Sequence, residues 1–527
     1  MHSINTVKNS VAIVSEEELY NIDSNLAVVR ISNQKLALMV NNGAKWEPFF
    51  PQGIETGFWD FRRYQEEVDY HALFQNYRRL GANTCWFMLK WQEVEPNDGQ
   101  FDFRFADEVV QIAEMYGLKI FWVFFTHVHC NDIHLSGDDF WVYNLDNRDG
   151  ANLAVQWVKD VKGNLYDSIA KLNEINAQLF PCYSNPVVFE RINRVIREIA
   201  RHYRHSRAVI GIQIGNEEGF LHEPFQDGYD SDYNPYTRGL FEQWSVERNE
   251  ASWGAFKIEM VKRWWTQFTT AFHEEDPYKI TSFNFQGGHP EKGDVKWIFR
   301  TGTDASTYGQ GNIDAVGTMF YEHDYDDIWT NLDSHYNYVY DLPLLIPSEI
   351  GLGIWGTESF VLAQHYLVNT LIRGGQGYDF YAYGHFFNSD NELTRHGEVL
   401  LEWNSMVHAC LDVLWSALPG TKGIDLSTRS KAEISCLINH ENTILGILNF
   451  PEAHKKENAD FSEDRSDVDI SVIVQEPGMY EMTVYCGRSI LYERRESIQS
   501  SMEFVLSDIL ERSLIFIKLK FTGPINK

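Results

Sequence analysis

Two glutamates pose the chemical question. Glu217 directly follows Asn216 in VIGIQIGNEEGF (209–220), and Glu349 directly follows Ser348 in LPLLIPSEIG (342–351). Each ends a short apolar run of the kind that forms a strand buried on both faces of a parallel sheet. In a (β/α)8 barrel the reactive groups stand at the carboxyl-terminal ends of the strands. Two carboxylates facing one another there can break a glycosidic bond. One protonates the leaving oxygen, and the other attacks the sugar carbon or activates water. A single strand-end glutamate is ordinarily just a polar residue where a strand surfaces. The Asn-Glu dipeptide and the second strand together favour the paired reading.

The elements that would position this pair can be followed along the chain. Strand one falls at FFPQGIE (49–55), strand two at NTCWFML (83–89) and strand three at KIFWVFF (119–125). YHALFQNYRRLG and RFADEVVQIAEMYG lie between them as helices, and Ala106, Val109, Ala113 and Tyr116 of the latter form one stripe. A long excursion covers roughly residues 127–183. Asn185 as N-cap, Pro186 at N1 and the stripe Val188, Ile192, Val195 and Ile199 then predict a helix leading into strand four. Strands five to eight fall at KITSFNF (279–285), IDAVGTMFY (313–321), LPLLIPSE (342–349) and QGYDFYAY (376–383), and a helix ends near Leu414.

This alternation predicts an α/β fold, a (β/α)8 TIM barrel over residues 45–417, with residues 1–44 as an extended lead-in. After the linker SALPGTKG (416–423) the pattern changes to short β-rich runs: ISCLI, TILGILNF, DISVIV, YEMTVYC and SLIFIKLKF. Residues 423–527 are therefore expected to form an all-β sandwich domain, with AHKKENADFSEDRSD (453–467) as a solvated loop.

Composition narrows the partners. The chain carries 75 acidic against 45 basic side chains, a net charge of −30, which repels nucleic-acid phosphates and anionic lipid. A neutral substrate is favoured, and 14% aromatic residues suit sugar stacking. The six cysteines show no C-x-x-C spacing and read as free thiols in a reducing compartment. The amino terminus lacks a signal-peptide pattern, and no apolar run reaches the ~18 residues of a membrane span. The expectation is a cytoplasmic protein with no cofactor and no metal; a homo-oligomer is compatible with the sequence.

Three segments, GANTCWFMLKWQEVEPNDGQFDF (81–103), AVIGIQIGNEEG (208–219) and GGQGYDFYAYG (374–384), resemble clan A glycoside hydrolases. Within the clan, the chain most nearly resembles the β-galactosidase-type families 42 and 35, over most of residues 45–417. The resemblance implies a retaining, exo-acting β-glycoside hydrolase working on small oligosaccharides or glycosides by double displacement. It makes Glu217 on strand four the general acid/base and Asn216 the donor to the sugar 2-hydroxyl. Glu349 on strand seven becomes the nucleophile, held by a hydrogen bond from Tyr321 at the end of strand six. Glu218 points away from Glu217 on an extended chain, and the family places its acid immediately after Asn, so Glu217 is preferred. Lys90 stands where many relatives carry Arg.

Other residues are candidates for substrate binding: Glu55 after strand one, His127 after strand three, Trp355 beyond strand seven and Tyr383 ending strand eight. Each has a bland counterpart in packing or a salt bridge. His127 and His129 also suggest a metal-dependent barrel hydrolase. Strand five then supplies only Asn284 and Gln286, a poor ligand set. A non-catalytic carbohydrate-binding barrel would be expected to have lost one of the two glutamates. An endo-β-glycanase or transglycosylase of the same clan is the nearer alternative.

Overall fold

A computed structural model describes residues 10–32, 35–56, 68–126, 128–129, 158, 162, 178–179, 181–215, 220, 232–285, 302–303, 314–318, 344–346, 350–351, 359–381, 383–421, 423–453 and 462–525. The amino-terminal region forms a four-stranded sheet of β1 (Ile13–Val14), β2 (Leu26–Ser32), β3 (Lys35–Asn41) and β4 (Trp46–Phe49). It is thus more than an extended lead-in. Val11, Leu26, Val28, Leu36, Leu38 and Val40 share one apolar cluster with Trp86, Phe121, Ile210, Ile280 and Ala315 of the central sheet.

The central sheet begins with β5 (Gln52–Thr56), β6 (Thr84–Lys90) and β7 (Lys119–Phe125). Within the excursion, β8 (Val128–His129) pairs with β9 (Gln178–Leu179). The central strands resume with β10 (Val209–Ile214), β11 (Ile280–Phe285), β12 (Ala315–Thr318), β13 (Leu344–Leu345), β14 (Ile350–Gly351) and β15 (Tyr378–Tyr381). They are hydrogen-bonded in the order β13, β12, β11, β10, β7, β6, β5, β15, β14, and every neighbouring pair is parallel. The two edges of this curled, TIM-barrel-like sheet, β13 and β14, belong to one stretch of chain with only residues 346–349 between them.

The helices follow from local sequence. Asp69 caps helix Tyr70–Arg79 by accepting from the Ala72 amide at 3.0 Å. Asn185 caps Pro186–Tyr203 in the same way at Val187, also 3.0 Å. Such a cap contributes about 1 kcal/mol. Val188, Ile192, Val195 and Ile199 are all buried, as their spacing predicts.

The amino-terminal sheet lies at the end of the central sheet where the strands begin. The Ala12 amide donates to the Pro277 carbonyl at 2.7 Å, just ahead of β11. The Val11 amide donates at 2.6 Å to Asp314, immediately before β12. The other oxygen of Asp314 accepts from the Thr281 amide, the Thr281 hydroxyl and His273 Nε2, each at 2.7 Å. Burial disfavours a charged His273, but the Asp314 carboxylate together with Asp276 outweighs it and holds the imidazole above its ordinary pKa. This pair therefore stabilises the fold below the ordinary histidine pKa and ceases to do so as pH rises through the raised one.

Lys35 has the opposite linkage. It is buried and donates to the Gly374 carbonyl at 2.8 Å, and burial lowers its pKa to about 7. Between that value and the ordinary lysine pKa the unfolded chain binds more protons, so stability climbs with pH. Lys35→Met should therefore stabilise the fold at pH 7 by roughly 1–3 kcal/mol. The Gly374 carbonyl keeps a donor from Gln376 Nε2 at 3.1 Å. Urea midpoints at pH 7 and near the ordinary lysine pKa check this: the gap should shrink toward zero at the higher pH.

Beyond residue 416 the described elements are strands. These are β16 (Leu418–Pro419), β17 (Ile424–Ser427), β18 (Glu433–Ile438), β19 (Ile444–Asn449), β20 (Arg465–Val474), β21 (Gly478–Cys486), β22 (Ser489–Ile498), β23 (Ser501–Leu510) and β24 (Ile515–Gly523). They form a six-stranded sheet, β16-β18-β19-β24-β21-β22, and a three-stranded sheet, β17-β20-β23, both antiparallel. Ile424, Val468 and Val472 of the smaller sheet share an apolar cluster with Leu445, Val484 and Ile517 of the larger. The charged segment 453–467 is not wholly a loop, because Arg465, Ser466 and Asp467 begin β20.

Candidate active site

The face of the central sheet that carries Trp86 and Phe121 changes character along the strands. Parallel strands alternate their side chains, so residues two apart share a face. Cross-strand register puts Gly53 and Glu55 of β5, Trp86, Met88 and Lys90 of β6, and Phe121 and Val123 of β7 on this face. Gly211 and Gln213 of β10 join them, with Ile280, Ser282 and Asn284 of β11. Toward the strand starts this face is apolar: Trp86 stacks on Phe121 at 5.0 Å and touches the cluster shared with the amino-terminal sheet. Toward the strand ends it is polar, with Glu55, Lys90, Gln213 and Asn284 all buried.

Glu55 is held there by its neighbours. Tyr77 of helix Tyr70–Arg79 donates to the Ile54 carbonyl at 2.9 Å and bonds the Thr56 hydroxyl closely. Both ties lie on the helix side of the strand, so Glu55 faces the other way. A Cβ on Gly53 would come within 2.1 Å of Trp86 and 3.0 Å of Asp379 Oδ1, which places the Asp379 carboxylate over that glycine. Only glycine fits between them. Glu55 and Asp379 are both fully buried. Burial pushes the nearby Cys85 thiol up, and both carboxylates push it the same way.

The segment after β6 is fixed by a further buried carboxylate. Glu95 accepts from Trp91 Nε1 at 2.9 Å and from the Gly99 amide at 2.6 Å, and pairs closely with Arg194. Asp98 pairs with Arg194 at 2.6 Å and Arg191 at 3.1 Å. Burial raises the Glu95 pKa, although those hydrogen bonds and Arg194 act against it. Glu93 accepts from the Lys90 amide at 2.9 Å, fixing the chain where the strand ends. Glu95 is a turn-building residue.

Of the predicted catalytic and substrate-binding residues, Glu55 and Tyr383 are described. Tyr383 lies in a 3-10 turn, Tyr383–His385, largely buried. Its hydroxyl accepts from Asn76 Nδ2 at 2.8 Å, and its ring stacks on Tyr77 at 5.7 Å. Asn216, Glu217, Tyr321, Glu349, His127 and Trp355 lie outside the described residues. Their flanking strands are described: β10 and Gly215 run directly into Asn216, and Glu349 directly precedes β14.

Sequence reasoning missed Asp379 and Gln213, and took Asn284 only as a weak metal ligand. The signal was present. In GIQIG and YDFY one polar residue interrupts an otherwise apolar or aromatic run, and in SFNF an asparagine sits between two phenylalanines, where burial requires a polar purpose.

No protein-family model matches the chain. Two curated relatives do. The beta-galactosidase BglY of Alicyclobacillus acidocaldarius is 22% identical over 302 residues, covering 50% of this chain and 40% of its own. The beta-galactosidase BgaH of Haloferax lucentense is 23% identical over 251 residues, covering 46% and 30%. The chain thus spans less than half the length of either. Among solved structures, a beta-galactosidase from the psychrophilic Marinomonas ef1 matches with a TM-score of 0.50 at 14% identity, covering 69% of this chain and 62% of that one. A structure described as a glycoside hydrolase also matches with a TM-score of 0.50, at 11% identity, covering 94% and 97%. The chain is similar to β-galactosidase-type glycoside hydrolases in sequence, and to glycoside hydrolases in fold.

Proposed function

We propose that this chain is a retaining, exo-acting β-glycoside hydrolase of the β-galactosidase type, working on small neutral oligosaccharides or glycosides. Sequence similarity to two beta-galactosidases supports the class. One structural observation supports the mechanism: β10, which leads toward Glu217, and β13 and β14, which flank Glu349 in the chain, belong to one parallel sheet whose polar tier lies at the strand ends. Pairing of the stretch 344–351 at both sheet edges supports a closed eight-stranded barrel over residues 45–417. The shared core of the last two sheets supports a β-sandwich over 423–527.

Glu349 attacks the anomeric carbon while the bond to the leaving oxygen breaks, and Glu217 gives that oxygen a proton. A glycosyl ester on Glu349 results. Glu217 then removes a proton from water, whose oxygen attacks the same carbon and returns Glu349 as carboxylate. Tyr321 donates to Glu349 and keeps it ionised, since a hydrogen bond to the charged form favours that form. Asn216 donates to the 2-hydroxyl. Glu55, His127, Trp355 and Tyr383 line the sugar subsite. The five described cysteines are free thiols, which is in keeping with a cytoplasmic location.

A panel of nitrophenyl glycosides, with the product anomer read by NMR, tests the reading. The β-galactoside should be turned over with its configuration retained, as carboxyl groups about 5–5.5 Å apart require. Turnover should survive EDTA. An inverted product, or loss to chelation restored by zinc, would overturn the double displacement.

A further inference from the structure

The carboxyl-terminal strands meet the helices that follow the last two barrel strands around a cavity of about 260 Å3. Three guanidinium groups line it, Arg395, Arg488 and Arg512, with a single carboxylate, Glu402. In a chain of net charge −30 that concentration of positive charge is a local reversal. Phe360 and Trp403 supply apolar wall. The guanidinium carbons of Arg395 and Arg512 lie 5.6 and 6.0 Å from the centre of the Phe360 ring, so one aromatic orients both.

The cavity is built by close packing. Gly487, in the turn between β21 and β22, has φ +57°, and a Cβ there would come within 3.1 Å of Glu402 Cγ. The glycine brings the turn down on the helix and sets Arg488 at the rim. Phe360 and Arg395 are the first residues of helices Phe360–Ile372 and Arg395–Ala409. The positive ends of both helix dipoles therefore add to the field. Arg395 pairs with Glu398 at 3.1 Å and Arg512 with Glu463 at 3.0 Å, but those carboxylates are 55% and 71% exposed and screened by water. Arg488 makes no ion pair among the described residues.

We propose that this cavity binds a monosaccharide-sized anion, a sugar phosphate or a sugar acid. Its charged group sits among Arg395, Arg488 and Arg512, and its polyol lies toward Glu402 and Trp403. Planar guanidinium forks match phosphate and carboxylate oxygens bidentately. Glu402 accepts from sugar hydroxyls, and the volume is below that of a drug-sized pocket, which limits the occupant to a small metabolite. Partial burial raises the Glu402 pKa, against the pull of the three arginines.

Calorimetric titration of the full chain with glucose 6-phosphate, glucuronate, inorganic phosphate and glucose tests this. One of the two sugar anions should bind, telling phosphate from carboxylate chemistry, with inorganic phosphate weaker and neutral glucose silent. Arg395→Ser and Arg488→Ser, both at exposed positions, should each weaken binding by about tenfold or more. The Glu349→Ala protein should bind as the parent does, which separates this cavity from the glycosidase proposal. No binding by either sugar anion, equal binding by glucose, or unchanged affinity in the Arg395→Ser/Arg488→Ser double variant would overturn it.

Discussion

Replacing Glu349 with Gly or Ala is expected to abolish turnover of every β-glycoside, natural or activated, because under the proposed mechanism no glycosyl ester could form. Added azide then enters from the vacated face and yields a glycosyl azide of inverted configuration. The expected loss is the largest of any single substitution, since covalent catalysis supplies the whole first displacement. The fold should be unaffected, so the far-ultraviolet circular dichroism of the variant should overlay that of the parent. Near-normal turnover would remove Glu349 from the mechanism. An azide product of retained configuration would exchange its role with that of Glu217.

Glu217→Ala separates the two half-reactions. On a natural substrate it should lower the rate by about 10²–10⁴-fold, the usual contribution of general acid–base catalysis. An aryl glycoside with an acidic phenol as leaving group needs little protonation, so its first step should survive. The glycosyl-enzyme then accumulates as a burst, because the base that activates water is gone. Azide needs no such base and should give a product of retained configuration. Rapid-mixing measurement of the nitrophenolate burst reads the first step. Absence of the burst together with a full loss on activated substrates would give Glu217 another role.

How far the sequence carried the fold depends on how strongly each segment declared its period. KIFWVFF is apolar throughout, and its strand, Lys119–Phe125, coincides with the expectation residue for residue. Asn185 and Pro186 marked a helix start by a chemistry that needs no tertiary context. The amino-terminal sheet was read only as a lead-in. LAVVRI and KLALMV are β-like, but nothing local says that they pair with each other and cover the base of the central sheet. SILYERRESI went unread because β22 exposes most of its side chains and lacks a clear alternation. SMEFVLSDIL does alternate at first, with Met502, Phe504 and Leu506 less exposed than Ser501, Glu503 and Val505, but the pattern breaks at Ser507 and Asp508.

The site divides in the same way. Glu55 was a candidate because it ended a strand. Its orientation comes from Tyr77, a residue that the sequence offers only as one position of a helix. Asp379 became visible only once β15 was set beside β5, since the glycine it covers lies far away in the chain. Tyr383 was expected to end strand eight but lies in the 3-10 turn beyond β15, and its hydrogen bond to Asn76 depends on a helix more than three hundred residues earlier. Long-range contacts of this kind leave no local trace.

The pairing of β5 with β15 bears on how the protein is made. Gln52 and Tyr378, neighbours across that ladder, are 326 residues apart in the chain. During translation β5 emerges early and can pair with β6, but its other edge waits until β15 leaves the ribosome. Throughout that interval an apolar parallel sheet presents a bare flank, the situation that invites aggregation or a chaperone. Closure is correspondingly slow, because the loop entropy is overcome only when the last strands arrive. A nascent chain stalled before residue 378 would hold most of the polar tier and still lack the wall beside Glu55. Catalytic competence would thus arrive late in synthesis.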